Sequence, residues 1–344
     1  MKKWRFVAPL AALATVALAA VAVVGTGTAA PAKKQASFSA GLVSDVGRFN
    51  DKGFNQLQLK GLKFAAKKIP GLKTTALESH SAGEYLPNFA SLARKGTNII
   101  IGAGFLLAAQ ENTVAKQFPN TKFAITDYDV LGPPFNGKAK NVEGLTYATQ
   151  ENSYLVGCLA GLMTKKQGGD QIIGVVGGVK IPPVDSFLAG YQAGAKKCNP
   201  GIKVLVGYSQ DFIDQAKCKT VAQNQIDQGS QVEFNVAGPC GLGTLDAAKE
   251  AGIWGVGVDV DQAYLGKHIL TSAVKRVDTG VYLAIKGAEN GEFSGGKNLV
   301  FNLKNGGVAL GKVSPNVPAA YLKTISNLRK QIIAGKIKPP TKVK

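Results

Sequence analysis

Residues 44–56 read S-D-V-G-R-F-N-D-K-G-F-N-Q, and this stretch lies between two patterns that indicate different secondary structures. The residues before it, S-F-S-A-G-L-V, are typical of a short buried strand. The residues after it predict an amphipathic helix, because Phe54, Leu57 and Phe64 recur at helical spacing, and both phenylalanines are expected in the core. Asp51 is expected to cap this helix. The sequence therefore predicts a strand, a polar loop and a helix, which begin a βαβ unit.

The same alternation of strand-like and helix-like segments continues along the chain. Strand-like runs such as N-I-I-I-G-A, K-F-A-I-T-D and Q-I-I-G-V-V-G are separated by amphipathic stretches. Such alternation is typical of parallel sheets that are covered by helices on both faces. The pattern restarts near Tyr147 without a Gly- or Ser-rich linker, and 344 residues are too many for one ordinary core. We therefore predict an α/β protein with two doubly wound parallel-sheet domains joined at a hinge.

Polar groups and glycines collect where the predicted strands end. In the first half, Gly104 follows the third strand and Asp127 ends the fourth. In the second half, the strand ends carry G-G-V-K-I-P-P, S-Q-D-F and A-G-P-C-G-L-G, and then Asp259. Ligands of open α/β sheets bind beyond the carboxyl ends of the strands. Two sheets that face each other across a cleft would bring these groups together, so we predict a small-molecule site between the domains.

The first thirty residues have the pattern of a secretory signal peptide. A basic M-K-K-W-R segment precedes a run rich in Ala, Val and Leu from Val7 to Val24, and small residues follow it up to Ala30. An N-terminal membrane anchor is the alternative, since the run is close to spanning length. No cysteine directly after the run offers a site for lipid attachment, because the first cysteine is Cys158. We expect residues 1–30 to be removed from an exported protein.

Charge and motif content argue against several function classes. The chain has 41 Lys and Arg against 22 Asp and Glu, a net charge of +19, but its lysines are scattered, so nucleic-acid binding is not expected. His80 and His268 lie far apart and no C-x-x-C occurs, so neither a metal site nor a cofactor is expected. The run I-G-A-G-F-L-L lacks the third glycine of a dinucleotide fingerprint, and no G-x-S-x-G or P-loop pattern occurs. The groups at the strand ends therefore favour binding over catalysis.

Four cysteines in an exported chain make disulfides possible, and three pairings are open. Cys218 should begin a helix, and Cys240 should follow the next strand. Both places lie at the same edge of a parallel sheet, so we favour a Cys218–Cys240 bridge. That choice leaves Cys158 to pair with Cys198.

Several segments occur in a characteristic order along nearly the whole mature chain. They include D-V-G-R-F-N-D-K-G-F-N-Q, F-A-I-T-D, G-G-V-K-I-P-P-V-D-S-F-L-A-G-Y-Q-A-G, G-L-G-T-L-D-A-A-K-E-A-G and G-V-D-V-D-Q. Each segment alone is weak, but their order resembles that of the basic membrane protein family, which are substrate-binding proteins of ABC transporters of the purine nucleoside receptor type. The resemblance implies a periplasmic-binding-protein type I fold, in which a three-segment hinge joins two α/β lobes.

The resemblance also implies how the chain is divided between the lobes. The hinge crossings are expected near Tyr147, within residues 272–277 and near Phe301. The expected divisions are an N-terminal lobe of residues 36–146 and 276–298, a C-terminal lobe of residues 147–275 and 299–318, and a C-terminal helix and tail at residues 319–344.

The resemblance implies a nucleoside ligand whose base lies between two aromatic rings and whose ribose is held by an acid and a lysine. Carried onto this chain, the rings are Phe49 and Phe212. The base-reading acid is Asp127, and the ribose partners are Asp259 and Lys275. Further groups are expected to line the cleft at Asp45, Asn50, Gly104, Val179 and Gly241. The family often has a small aliphatic residue where Phe49 stands, so this ring either clamps the base or fills space.

We therefore predict a monomeric periplasmic receptor, and not an enzyme, that captures a nucleoside in the cleft and delivers it to the permease of an ABC transporter. One alternative keeps the fold but binds a sugar or another small metabolite for uptake or sensing. A second alternative is an α/β enzyme. The two classes differ in one observable, because an enzyme consumes its ligand whereas a receptor returns it unmodified.

Overall fold

The structure is a computed structural model that describes residues 38–343, so the expected signal peptide lies outside the described residues. The strands of the described part are β1 (Ser39–Ser44), β2 (Lys73–Leu77), β3 (Ile99–Ala103), β4 (Lys122–Thr126), β5 (Val142–Tyr147), β6 (Ile172–Gly177), β7 (Lys203–Tyr208), β8 (Ser230–Val236), β9 (Trp254–Asp259), β10 (Ile269–Lys275), β11 (Asn298–Phe301) and β12 (Val308–Leu310). The α-helices are α1 (Phe54–Lys68), α2 (Tyr85–Arg94), α3 (Ala108–Gln117), α4 (Thr149–Gln167), α5 (Pro182–Cys198), α6 (Gln215–Ile226), α7 (Gly241–Glu250), α8 (Val277–Asn290) and α9 (Ala319–Ile333).

The strands form two six-stranded sheets with the same internal order. The first sheet has the order β11-β5-β4-β3-β1-β2, and all of its pairs are parallel. The second has the order β12-β10-β9-β8-β6-β7 and is parallel except for the β10–β12 pair. The predicted α/β class with two doubly wound sheets is confirmed. Because β4 and β9 hold the same place in their sheets, the groups that follow them occupy equivalent positions.

The chain passes between the two sheets three times. It leaves the first sheet after β5, returns after β10, and leaves again between β11 and β12. The strands before these passages end at Tyr147, Lys275 and Phe301, close to where the family resemblance implies the hinge crossings. One expected boundary is wrong, because β11 pairs with β5 and so residues 299–301 belong to the first sheet rather than the C-terminal lobe. The movement of the two halves as separate lobes stays a prediction.

The central strands are buried because helices cover both faces of each sheet, whereas the edge strand β2 is mostly exposed. Ile99, Ile100 and Ile101 of β3 are fully buried, as expected for a central parallel strand. Helix α4 is buried on most of its surface and packs closely on α5. A Cβ at Gly157 or Gly194 would collide with the facing backbone, so both glycines are needed for this close approach. None of the described helices is both long and apolar enough to span a membrane.

Two disulfides lie in the half of the molecule built on the second sheet. Cys218 pairs with Cys240, and Cys158 pairs with Cys198, which is the pairing that the sequence favours. The first bridge joins α6 to the short 3-10 turn Gly238–Cys240, whose first residue also lines the cleft between the sheets. This bridge therefore fixes one wall of the cleft to a helix behind it.

Glu233 on β8 is fully buried, and neither of its carboxylate oxygens has a hydrogen-bond partner among the described residues. Burial raises the pKa of Glu233 to about 8 from 4.5. The unfolded chain therefore releases this proton at lower pH than the folded protein does. The stability that the protonated form contributes is complete below about pH 4.5 and is lost as pH rises through about 8.

We expect Glu233→Gln to make the free energy of unfolding less dependent on pH. In wild type this single group should lower that free energy by about 1.4 kcal/mol per pH unit within the window. Urea unfolding between about pH 5 and about pH 8 measures the slope, with Glu289→Gln on the exposed face of α8 as the control. Parallel pH profiles for Glu233→Gln and wild type would contradict a buried, protonated Glu233.

Candidate functional site

A cleft lies between the carboxyl ends of the two sheets, where the strand-end groups of both halves meet. Its acidic and basic lining groups are Asp45, Asp51, Asp127, Asp259 and Lys275. Its aromatic lining groups are Phe54, Phe105, Phe187 and Phe212. A small-molecule site is expected to have this composition, in which a few polar groups lie among aromatic and apolar walls. The position also agrees with the rule that open α/β sheets bind ligands at their carboxyl edges.

Lys275 joins the two halves of the molecule through its ammonium group. It ends β10 in the second sheet, and its Nζ lies 2.5 Å from Oδ2 of Asp127, which follows β4 in the first sheet. The same Nζ lies 3.8 Å from Oδ1 of Asp259. These side chains are at most 9% exposed. The ammonium therefore bridges the sheets and offsets two buried carboxylates, whose charges would otherwise repel each other.

Asp127 and Asp259 share an unusual backbone conformation. Both have left-handed φ values, 66° for Asp127 and 62° for Asp259. Asp127 directly follows β4, and Asp259 is the last residue of the equivalent strand β9. A left-handed conformation is disfavoured for a residue with a Cβ, and such strain is concentrated at functional sites. The repeated geometry turns one carboxylate from each sheet towards the same ammonium.

The loop that follows β1 contributes two further carboxylates to the cleft, those of Asp45 and Asp51. Oδ1 of Asp45 accepts hydrogen bonds from the Gly47 N–H at 2.8 Å and from Nδ2 of Asn55 at 2.7 Å. The N-cap of α1 is Gly53 and not the expected Asp51, but the Asp51 carboxylate accepts hydrogen bonds from the N–H groups of Gly53, Asn55 and Gln56 at the start of the helix. Burial raises the pKa of Asp45 to about 6, although the bonds from Gly47 and Asn55 oppose this shift. The loop is therefore held by its own polar groups at the edge of the cleft.

Burial is also the largest influence on the pKa of Asp259. It raises the pKa of Asp259 to about 6, the ammonium of Lys275 lowers it, and the charges of Asp127 and Asp51 raise it further. Burial raises the pKa of Asp51 as well. The cleft thus places four carboxylates around one ammonium. It is suited to a ligand that donates hydrogen bonds, and it is poorly suited to an anion.

The aromatic rings come from both halves of the molecule. Phe54 is the first residue of α1, and Nζ of Lys275 lies 4.7 Å from the centre of its ring. A Cβ at Gly104 would lie 3.1 Å from this ring, and Gly104 has a φ of 124° that favours glycine. Phe212 follows β7 in the other half, and Phe187 lies on α5. Phe54 and Phe212 therefore contribute aromatic side chains to the cleft from different halves of the molecule.

The structure brings together some of the residues that the sequence singles out. Six of them line the cleft, namely Asp45, Gly104, Asp127, Phe212, Asp259 and Lys275. Their contact with a ligand stays a prediction, but their common location follows from the strand ends on which they lie.

The other four expected residues do not line the cleft. Phe49 is 9% exposed and packs in the core of the first half, so it fills space and does not face the cleft. Asn50 is exposed on the loop surface. Val179 lies outside the lining, and a Cβ at Gly241 would meet the side chain of Asn235 rather than the cleft. Gly238, three residues before Gly241 and with a φ of 55°, lines the cleft instead.

Sequence reasoning missed Phe54, Asn55, Phe105 and Phe187 as cleft residues. Phe54 and Asn55 are the first two residues of α1, and Phe105 begins the 3-10 turn after β3. The available signal was position, because the first turn after a parallel strand lies at the carboxyl edge of the sheet. Phe64 was also wrongly expected in the core, since it is 44% exposed. Among residues 38–343, no group of three or more His, Cys, Asp or Glu is arranged to hold a metal ion.

Comparison with known proteins gives consistent matches over almost the whole described chain. Residues 38–342 match the family described as ABC transporter substrate-binding protein PnrA-like. The ABC transporter nucleoside-binding protein BmpA of Lactococcus lactis is 33% identical, over 96% of this chain and 98% of that protein. Basic membrane protein D of Borreliella burgdorferi is 34% identical, over 86% of this chain and 85% of that protein. A solved ABC transporter solute-binding protein from Aeropyrum pernix K1 superposes with a TM-score of 0.77 at 26% identity, over 89% of this chain and 94% of that one.

Proposed function

Because this chain belongs to the PnrA-like family of ABC transporter substrate-binding proteins and has their type I fold, we propose that its cleft captures a purine nucleoside and delivers it to an ABC permease. Substrate-binding proteins of ABC importers act outside the cytoplasm, and we place this protein in the periplasm, as a monomer. The nucleoside-binding name of the Lactococcus lactis relative supports the choice of ligand.

One observation carries the proposal. The ammonium of Lys275 joins carboxylates from both sheets beside the ring of Phe54, and the ring of Phe212, from the other half of the molecule, also lines the cleft. A purine base has two π-faces that rings can stack on, and its edge carries donors and acceptors. Its ribose carries hydroxyl groups that donate to carboxylates. The cleft offers partners for all three parts.

Each group has a role in this proposal. Phe54 and Phe212 stack on the two faces of the base, and Phe54 takes the role that the family resemblance implies for Phe49. Asp127 accepts hydrogen bonds from the edge of the base. Asp259 accepts from the ribose hydroxyls, and Lys275 keeps that carboxylate ionised. The ligand then contacts both halves, and its better contact with the closed arrangement drives closure.

A sugar is the second candidate ligand, because four carboxylates in the cleft also suit a polyhydroxyl compound. A sugar has no planar ring system that could stack on Phe54 and Phe212, so the pair of rings favours the nucleoside. In either case the protein acts as a receptor and not as an enzyme, so we expect the bound compound to be released unmodified.

Replacing Asp259 with asparagine should weaken adenosine binding by about 10- to 100-fold. The reason is the loss of charge-assisted hydrogen bonds worth about 1.5–3 kcal/mol each. The loss should be smaller for the deoxyadenosine that lacks the hydroxyl read by Asp259. Titration calorimetry with adenosine, 2′-deoxyadenosine and 3′-deoxyadenosine completes a double-mutant cycle, with Asp246→Asn on the exposed face of α7 as the control. Additive effects for both deoxy compounds would mean that Asp259 does not read the ribose.

A further inference from the structure

A concavity larger than the ligand cleft lies outside it, along helices α1 and α8. It has a volume of about 800 Å³ and is lined by residues of both helices, of the loop before α1, and of the segments that follow β9 and β10. We call it the α1–α8 groove. None of its lining residues belongs to the ligand cleft, so the groove is a separate feature of the surface.

The wall formed by α1 is basic. Lys60, Lys63 and Lys67 recur at helical spacing on one face of α1, and all three are exposed. None of them forms an ion pair with another residue of the described chain. The remaining charges of the lining are Arg276 and Asp278, which pair with each other at 2.8 Å. The groove therefore presents three uncompensated positive charges.

The groove also has an aromatic part. Phe64 is 44% exposed, and its ring meets the ring of Tyr282 edge to face at a centroid distance of 4.9 Å. Both rings line the groove beside the three lysines. Exposed aromatic groups beside basic groups are typical of an interaction surface, in which the rings supply contact area and the charges supply orientation.

Groove and cleft are built from neighbouring residues of the same three segments. Gly53 lines the groove and Phe54 the cleft, Val260 lines the groove and Asp259 the cleft, and Arg276 lines the groove and Lys275 the cleft. Two of these segments follow strands of the second sheet, whereas α1 packs on the first. A change in the relative position of the two halves must therefore alter the groove as well as the cleft.

We propose that the α1–α8 groove is a docking surface for an acidic polypeptide segment, carrying an aromatic side chain, of the protein that receives the ligand. Charge complementarity with the three lysines selects acidic residues, and the exposed rings of Phe64 and Tyr282 receive the aromatic side chain. An anionic membrane surface is the other partner that lysines could attract. It fits less well, because a concave groove admits a chain segment but not a flat layer of headgroups. The affinity of docking at this place therefore depends on whether the ligand cleft is closed.

The test uses a fluorescently labelled peptide in which a tryptophan lies between glutamates. Binding of this peptide to the full mature protein is measured by fluorescence anisotropy. We expect binding that weakens as salt concentration rises. The triple variant Lys60→Ala, Lys63→Ala and Lys67→Ala should weaken it about tenfold, since each exposed ion pair contributes modestly. A charge-matched control is the triple variant Lys323→Ala, Lys330→Ala and Lys336→Ala, which removes exposed lysines in and just after α9.

Phe64→Ala should weaken the same peptide while leaving the salt dependence of binding unchanged. Equal affinity of both triple variants for the acidic peptide would overturn the proposal. It would also be overturned if wild type bound a matched peptide, with lysines in place of the glutamates, as tightly as the acidic peptide. Loss of binding to phosphatidylglycerol vesicles, without loss of peptide binding, in the α1 triple variant would assign the groove to a membrane instead.

Saturating adenosine should change the affinity for the acidic peptide in wild type. No change, in a protein shown to bind adenosine, would overturn the coupling to the cleft. Only this comparison rests on the proposed nucleoside ligand. If no purine nucleoside binds, the proposed function fails, but the lysine variants still decide whether the groove is a docking surface.

Discussion

Replacing Lys275 with methionine should lower the free energy of unfolding by about 3–5 kcal/mol, which is the cost of removing one partner from a buried ion pair. Methionine keeps most of the side-chain volume but leaves the carboxylates of Asp127 and Asp259 without their shared cation. The same variant should lose most of its affinity for nucleosides. Urea unfolding measures the stability, and titration calorimetry measures the binding.

The loss of stability should depend on pH in a defined direction. The ammonium of Lys275 lowers the pKa of Asp259, so its removal raises that pKa above about 6. Protonation at low pH then relieves the uncompensated charge, and the difference from wild type should be smaller at about pH 5 than at about pH 8. Lys286→Met on the exposed face of α8 is the control. A loss that is small and independent of pH would show that the ammonium does not hold the two sheets together.

Removing both cleft rings, by Phe54→Ala with Phe212→Ala, should weaken purine nucleoside binding by at least about thirtyfold. Each ring is expected to contribute about 1–3 kcal/mol of stacking. Each single variant should account for part of the loss, because the rings act on opposite faces of the base. Titration calorimetry with adenosine measures the effect, and circular dichroism checks that the fold is retained.

Phe64→Ala is the matched control for the ring variants, since this phenylalanine also lies on α1 but is exposed outside the cleft. Its affinity for adenosine should equal that of wild type. If the double variant also binds adenosine like wild type, the rings do not hold the base, and the ligand is recognised by the carboxylates alone.

The sequence was most informative where a functional group lies at the end of a strand. Asp127 and Asp259 could be predicted because parallel strands bring their carboxyl ends to one edge, and a polar residue ends each apolar run. The pairing of Lys275 with both acids could not be predicted from spacing. It depends on how two sheets face each other across the cleft, and no local pattern encodes that arrangement.

The loop after β1 explains why Phe54, and not the expected Phe49, lines the cleft. Arg48 and Lys52 have left-handed φ values of 57° and 53°, so the chain changes direction on both sides of Phe49. As a result, Phe49 packs in the core and Phe54 lines the cleft. The sequence offers two rings five positions apart, and only the backbone path decides between them. Phe64 lies on α1 at helical spacing from Phe54 and Leu57, but it is exposed at the edge of the contact between α1 and α8, beside Tyr282.

The central claim is that the cleft binds purine nucleosides reversibly, and titration calorimetry of the wild-type protein tests it most directly. The titrants are adenosine, guanosine, inosine, ribose and a set of hexoses, and the ligand is recovered afterwards for chromatography. We predict binding of at least one purine nucleoside at one site per chain, weaker or no binding of the free sugars, and recovery of the nucleoside unmodified. A protein that binds a sugar more tightly than every purine nucleoside, or that returns a cleaved nucleoside, would contradict the account.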